Sequence, residues 1–195
     1  MGLAEHADDL VELGVHMLGI GLRERGLDGV INHMDKWHFA FIDAETNAFA
    51  LEQLQASTAL LMGRHTYEVH ADTWPGRVGD YADRINTMSK YVASTTLRTA
   101  EWANTTILDG DLVEAVTTLK QTPGEDILMH GYGPVAKTLL AHGLLDELHL
   151  WVHPQLAGIG GPGDLLLGES LNTRFTLLDV RRLTSGVVIL SYRAS

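Results

Sequence analysis

The stretch LLMGRHTYE (Leu60–Glu68) ends an apolar run on a glycine and then presents a series of hydrogen-bond donors. Gly63 would let a ligand approach the backbone, and a helix starting there would offer unpaired N–H groups carrying about half a positive charge. Arg64 adds a planar, permanently charged guanidinium that suits phosphate, with His65 and Thr66 beside it. The pattern predicts an anion site, although a capped helix with Arg64 in solvent explains it about equally well.

Hydroxyl side chains follow a second apolar run, KYVA, at Ser94, Thr95 and Thr96. Hydroxyls at the end of a strand can donate to a phosphate or pair with a ribose, and Arg98 lies nearby in the sequence. Loop hydroxyls are also common in proteins without any ligand. This motif is therefore the weaker of the two.

The segment HGYGPVA (130–136) carries the strongest local signal for phosphate binding. Gly131 and Gly133 fit the pattern G-x-G-x-x-A, and Pro134 suits the first turn of a helix. A standard Rossmann dinucleotide site also needs an acidic residue at the end of the next strand. That strand, ELHLWVH, ends on His153 instead, so the standard Rossmann interpretation fails.

The segment KWHFAFIDAETNAF places three bulky rings, Trp37, Phe39 and Phe41, just before Asp43. The simplest interpretation puts the rings in the core and makes Asp43 the N-cap of a helix. A carboxylate beside aromatic rings can also hold a flat, nitrogen-rich heterocycle, because the rings stack on it and the acid pairs with its ring N–H groups. Both interpretations stand at this point.

The ten histidines raise the question of a metal site. His149 and His153 would share one face of a strand, and His65 and His70 lie on a presumed helix. Neither pair forms HExxH or has a carboxylate at ligand spacing. We therefore predict no metal site.

The composition narrows the class of protein. At 195 residues, with 45% apolar and 20% charged residues, the chain is typical of one globular domain, and no apolar run reaches the length of a membrane span. Cysteine is absent, which excludes disulfides, thiolate zinc sites and a cysteine nucleophile, and fits a reducing cytoplasm. A formal charge of −11 argues against a nucleic-acid surface. We expect a cytoplasmic protein without a secretory signal.

Strands and helices alternate along the chain and would position these turns. The predicted strands cover 15–22, 59–62, 90–95, 105–108, 126–130 and 147–153, followed by a hairpin, 174–193, that turns at Ser185-Gly186. The predicted helices cover 3–13, a segment capped by Asp43, a segment from Asp109 or Asp111 to Lys120, and one that begins near Pro134. This alternation predicts a three-layer α/β domain over 15–195, with a mixed, mostly parallel sheet and an antiparallel C-terminal hairpin. Residues 1–14 would form a helical extension.

Taken in order, these motifs resemble those of the dihydrofolate reductase-like superfamily, and most of all its branch of riboflavin-biosynthesis reductases (RibD C-terminal domain-like). The resemblance covers roughly Val15 to Arg193. It rests on LDGVI, WHF…D…NAF, LLMGRHTYE, WP, KYVAST-TL, ILMHGYGPVAKTLL, DELHLWVHPQLAGIG and SGVVILSYR. Each segment is weak alone, but their shared order is a strong signal.

The resemblance implies a reductase that uses NADPH, whose phosphates would lie at helix N-termini. The residues implied in cofactor binding are Leu22, Asp28, Gly63, Arg64, His65, Thr66, Ser94, Thr95, Thr96, Gly131, Tyr132, Gly133, Pro134 and Val135. Asp43 and Asn47 would be catalytic, and Trp37 and Phe41 would contact the substrate. The resemblance also implies a homodimer.

The chain departs from the family pattern in two places. Asn47 stands where dihydrofolate reductases proper carry the substrate acid, and Asp43 lies one turn earlier, so reduction of folate is not expected. RERG (23–26) replaces a small polar residue and would form a charged loop beside the nicotinamide.

Three functions remain open at this stage. The first is hydride transfer from NADPH to a pterin, pyrimidine or similar small heterocycle. The second is the reductase of riboflavin biosynthesis, 5-amino-6-(5-phosphoribosylamino)uracil reductase, which would need a further cationic pocket. The third is a protein that binds NADPH without turnover.

Overall fold

The computed structural model describes residues 18–161, 165 and 172–195. Its strands are β1 (Leu18–Arg25), β2 (Ser57–Gly63), β3 (Ser89–Ala93), β4 (Thr105–Leu108), β5 (Asp126–His130), β6 (Glu147–Val152), β7 (Phe175–Arg182) and β8 (Val188–Ala194). Its α-helices are α1 (Ala44–Gln55), α2 (Arg64–Thr73), α3 (Asp80–Thr87), α4 (Leu112–Lys120) and α5 (Pro134–Ala141). Two short 3₁₀ helices, Met34–Lys36 and Phe39–Phe41, connect β1 to α1.

The strands form one sheet in the order β4-β3-β2-β5-β1-β6-β8-β7. The first six in this order are parallel, and β8 and β7 continue the sheet as an antiparallel hairpin. The β1-to-β2 and β5-to-β6 connections run in opposite directions along the sheet, and right-handed crossovers therefore place α1 and α5 on opposite faces. The predicted three-layer architecture is confirmed.

Two apolar clusters occupy the two faces of the sheet. On one face, Leu54 of α1, Tyr67 of α2 and Ile85 of α3 pack with strand residues such as Met62. On the other face the cluster contains side chains of α4, α5 and the strands, among them Val116, Leu139, Leu61 and Met129. Neighbouring residues of β2 thus point to opposite faces, as expected for a central parallel strand buried on both sides.

The first strand ends later in the chain than the sequence predicts. β1 extends to Arg25, and residues 15–17, like the predicted helix 3–13, lie outside the described residues. The prediction of a charged loop at 23–25 is wrong, because Arg23 pairs with Leu150 and Arg25 with Val152 of β6. The register shifts between Ile20 and Arg23, which absorbs an extra residue in β1 as a bulge.

A buried lysine ties α3 to the start of β3. Lys90 is fully buried, and its Nζ donates to the carbonyl oxygens of Ile85, Asn86 and Met88 at 2.9, 3.0 and 2.7 Å. The ammonium also lies 4.5 Å from the centre of the Trp102 ring. Burial lowers the pKa of Lys90 to about 8, so the group is still mostly protonated at pH 7.

We expect Lys90→Met to lower the free energy of unfolding by about 2 kcal/mol. Methionine fills the volume but leaves buried carbonyl groups at the end of α3 without their donor. Urea denaturation measures the change, and Lys36→Met, at an exposed lysine, is the control. Equal stability of the two variants would show that the Lys90 contacts contribute nothing net.

Candidate functional site

The three predicted binding turns lie together at the carboxyl ends of adjacent parallel strands. Met62 pairs with His130 across β2 and β5, and Gly63 pairs with Ala93 across β2 and β3. The turns that follow these strands therefore leave the sheet at the same level. The helix that follows β5 lies on the opposite face of the sheet from the helices that follow its neighbours β2 and β1. The turns therefore lie at a topological switch point, where open α/β sheets bind ligands.

Two helix N-termini at this edge are open to a ligand. The N-caps of α2 and α5 are Gly63 and Gly133, which provide no capping side chain, and neither helix has an acidic residue in its first turn. By contrast, Asp43 and Asp111 accept backbone N–H bonds at the starts of α1 and α4. The first turns of α2 and α5 thus have neither a capping side chain nor an acidic residue of their own to offset the helix dipole.

The glycine at the start of α5 is not required by the protein's own packing. The backbone of Gly133 has φ −114°, which other residues adopt, and a Cβ built there would meet no atom of the described residues within 4 Å. Gly131 differs, because its φ of +94° strongly favours glycine. A Cβ on Gly63 would lie 3.4 Å from Val135, which shows that the two helix starts are neighbours. A space beside unpaired N–H groups fits a phosphate.

Arg64 links the second turn to the first. Its Nη1 donates to Thr96 Oγ1 at 2.8 Å, and its Nε lies 3.1 Å from Glu68 Oε1. The Ser94 Oγ accepts from the backbone N–H groups of Thr96 and Leu97, and its contact with a cofactor stays a prediction. Ser94 therefore shapes the turn that positions the Thr96 hydroxyl beside Arg64.

Six other residues predicted at the cofactor site lie in the same turns. His65, Thr95 and Pro134 are exposed, and Thr66, Tyr132 and Val135 are partly buried. Leu22 lies in β1, and its side chain is outside the described part of the structure. The contacts of these residues with a cofactor stay predictions.

Asp28 joins two loops at the neighbouring strand ends. Its Oδ2 accepts from the Gly158 N–H at 2.8 Å, and its Oδ1 accepts from the Val30 N–H at 3.4 Å. The bond from Gly158 is the main reason why the pKa of Asp28 is lowered. Asp28 thus holds the loop after β1 against the loop after β6, beside the predicted cofactor turns.

The aromatic residues before α1 divide into buried and exposed ones. Trp37 is buried, its Nε1 donates to the Asn32 carbonyl oxygen at 2.9 Å, and its ring packs edge-on against His153. Phe41 is half-buried and packs against the same histidine. The prediction that Phe39 belongs to the core is wrong: 63% of its surface is exposed, because the 3₁₀ turn that points Phe41 at His153 points Phe39 outward.

Asp43 caps α1, as the sequence predicts. Its Oδ1 accepts from the Thr46 N–H at 2.8 Å and from the Thr46 hydroxyl at 2.5 Å, and Thr46 Oγ1 accepts from the Asp43 N–H. The hydroxyl of Thr46 is the main cause of the lowered pKa of Asp43. The carboxylate is therefore ionised at neutral pH and unsuited to donate a proton itself. Asn47, one turn later, is exposed.

Two histidine pairs near these strand ends are not evident from local sequence spacing. His70 Nε2 lies 3.2 Å from His130 Nδ1, and His38 Nδ1 lies 3.1 Å from His153 Nε2. Burial lowers the pKa of both His70 and His38 to about 4, with His153 adding to the effect on His38. The imidazoles of His38 and His70 are therefore neutral at pH 7. Their partners lie 115 and 60 positions away in the sequence, too far for a local motif to contain both histidines of a pair.

Within the described ranges, no group of three metal-binding side chains is found. The described helices also include none long and apolar enough to cross a membrane.

The chain matches the family model of the RibD C-terminal domain over residues 25–189. The chain belongs to the RibD C-terminal domain family. A curated relative, the uncharacterized protein YyaP of Bacillus subtilis (strain 168), is 29% identical over 139 residues, which cover 68% of this chain and 72% of YyaP.

Solved structures show the same fold for this RibD C-terminal domain. A protein from Shewanella sp. PV-4, described as a candidate riboflavin biosynthesis protein, aligns with a TM-score of 0.68 and 20% identity, covering 93% of this chain and 99% of that one. The bifunctional deaminase and 5-amino-6-(5-phosphoribosylamino)uracil reductase of Thermotoga maritima aligns with a TM-score of 0.66 and 15% identity. The alignment covers 98% of this chain and 60% of the Thermotoga maritima protein. The predicted fold and superfamily are confirmed.

Proposed function

We propose that this RibD C-terminal domain protein is an NADPH-dependent reductase of a small heterocyclic substrate. Two uncapped helix starts beside each other at a switch point, one with an unfilled space next to Gly133, carry the proposal. NADPH carries a diphosphate and a 2′-phosphate, anionic groups that helix N-termini and the Arg64 guanidinium are suited to bind. Membership of a family that includes reductases supports it.

We assign different residues of the site to different parts of NADPH. The N–H groups of the first turn of α5, with Gly131 and Gly133, would hold the diphosphate. Arg64, Thr96 and the first turn of α2 would hold the 2′-phosphate. The nicotinamide would then extend toward β1, where Leu22 and Asp28 are expected.

The protein contributes position and a proton path to the reaction. When bound, a reduced nicotinamide supplies a hydride to the carbon of a C=N or C=O bond and is left oxidised. The nitrogen or oxygen of that bond takes up a proton, which balances the reduction. Asp43 is ionised, so we assign it the role of holding the water that delivers this proton.

We expect Asp43→Asn to lower kcat about tenfold and to leave the Kd for NADPH within twofold. An amide holds and polarises the water less well than a carboxylate, while the cofactor turns lie on other strands. Oxidation of NADPH followed at 340 nm across pterins, pyrimidines and quinones measures the effect. Asp111→Asn, which weakens the cap of α4 instead, is the matched control.

Two outcomes would change the proposal. Tight NADPH binding without oxidation by any member of the panel would favour a binding protein over an enzyme. Equal turnover of the Asp43 and Asp111 variants would leave Asp43 as a helix cap alone. The homodimer and the cytoplasmic location expected from the sequence stay predictions.

A further inference from the structure

Three loops converge at the carboxyl ends of β1 and β6, one strand away from the glycine turn after β5. The Leu27 N–H donates to the Gln155 carbonyl oxygen at 2.7 Å, and the Gly158 N–H donates to Asp28 at 2.8 Å. The third loop, which leads to α1, joins them through the His38–His153 contact. These contacts hold residues 26–28, 37–42 and 153–158 as one surface.

The packing between the first two loops is close. A Cβ on Gly26 would lie 2.5 Å from Asp28 Oδ1 and 2.9 Å from the Gln155 carbonyl oxygen. Both distances are too short for a Cβ contact, so a side chain at position 26 would displace these groups. Trp37 and Phe41 pack their rings against His153 on the inner side of the third loop. The buried ring of Trp37 and the half-buried ring of Phe41 thus support these loops.

The three loops carry exposed apolar side chains. Each loop contributes exposed apolar side chains, and we call the set of four the apolar rim: Leu27 (56% exposed), Phe39 (63%), Ile42 (40%) and Leu156 (67%). Single exposed apolar residues are ordinary, but several on loops bonded to each other mark a surface that binds something. Its place beside the predicted nicotinamide position indicates the substrate.

The charges described around the rim disfavour an anion. Asp28 and Asp43 both have lowered pKa values, through the bonds from Gly158 and Thr46, and are ionised at neutral pH. Asp35 adds a third carboxylate beside these loops, and the described cations next to them are Lys36 and Arg25, whose buried Nε has no hydrogen-bond partner among the described residues. Among the described residues, a phosphate dianion at the rim would meet three carboxylates against two cations, together with apolar side chains, and would lose hydration without full compensation.

We infer that the substrate is an uncharged, unphosphorylated flat heterocycle that lies on the apolar rim, with Phe39 and Leu156 as contacts, and not a compound that carries a ribose phosphate. This inference rests on the proposed reductase function. It adds Phe39 and Leu156 to the predicted substrate contacts Trp37 and Phe41. The rings of Trp37 and Phe41 also pack against His153. It also separates this chain from a reductase that acts on 5-amino-6-(5-phosphoribosylamino)uracil.

The test compares that phosphorylated uracil with its dephosphorylated counterpart, 5-amino-6-ribosylaminouracil. Calorimetry with the protein saturated with NADP⁺ measures binding without turnover, and initial rates with NADPH measure reduction. We expect the dephosphorylated compound to bind at least tenfold more tightly. Phe39→Ser and Leu156→Ser should each weaken its binding about fivefold and leave the Kd for NADP⁺ within twofold.

Leu177→Ser is the matched control, because Leu177 is 51% exposed on β7, outside the three loops. Thermal unfolding checks that all three variants fold. Tighter binding of the phosphorylated compound, binding of neither compound, or equal effects of the rim and control variants would overturn the inference while NADP⁺ still binds. Absence of NADP⁺ and NADPH binding by the wild-type protein would instead refute the proposed function.

Discussion

Gly133→Asp should fold normally and yet lose at least a thousandfold in affinity for NADPH. The described part of the chain leaves room for the new side chain, since a Cβ at this position meets none of its atoms within 4 Å. Aspartate is a better N-cap than glycine by a few tenths of a kcal/mol, so α5 should become slightly more stable. The same carboxylate would occupy the space assigned to the diphosphate and repel it. Stability and binding are therefore expected to change in opposite directions.

Thermal unfolding and fluorescence titration with NADPH measure the two effects on one preparation. Gly161→Asp is the matched control, because it adds the same charge at another glycine whose Cβ would meet none of the described atoms within 4 Å. Gly133→Ala should show an intermediate loss of affinity. Undiminished NADPH binding by Gly133→Asp would mean that the start of α5 does not hold the diphosphate.

Arg64→Ala should weaken NADPH binding ten- to a hundredfold, which corresponds to about 1.4 to 2.7 kcal/mol. NADH affinity should change less than twofold, because NADH lacks the 2′-phosphate that the guanidinium would contact. The Coulomb energy of one phosphate–guanidinium pair near the surface is at most about 4 kcal/mol before desolvation. The Thr96 bond holds the guanidinium over the strand ends in advance of binding.

Glu68 provides an internal comparison for Arg64. Its carboxylate lies 3.1 Å from the Arg64 Nε and competes with a phosphate for the same group. Glu68→Gln should therefore tighten NADPH binding about two- to threefold and leave NADH binding unchanged. Equal losses for both nicotinamides in Arg64→Ala would assign Arg64 to a part that the two cofactors share.

Local signals in the sequence were sufficient for most of the framework. Asp43 and Asp111 stand at helix starts because a short carboxylate satisfies first-turn N–H groups, and Pro134 marks a first turn because it needs no N–H. The limits of β4 and the turn at Gly186 follow from equally local patterns. Parallel strand ends then have to lie on one edge, which explains why the three turns are neighbours.

Features that depend on tertiary contacts could not be predicted in the same way. The charged residues 23–25 read as a loop, but β6 supplies the ladder partners that extend β1 through them. The outward position of Phe39 depends on a single 3₁₀ turn, and ring type alone favours burial. The His38–His153 pair joins distant segments, and the burial that is the main cause of the lowered His38 pKa depends on tertiary packing that no local spacing encodes.

Hydrogen exchange with and without NADPH tests the central claim most directly, because the turns are proposed to bind through backbone N–H groups. The expected result is slower exchange, on NADPH addition, in three separated segments at once: 63–66, 94–97 and 131–136. The segment 176–181 of β7 should not change. Protection confined to one of the three segments, or found elsewhere in the chain, would contradict a cofactor site shared by these strand ends.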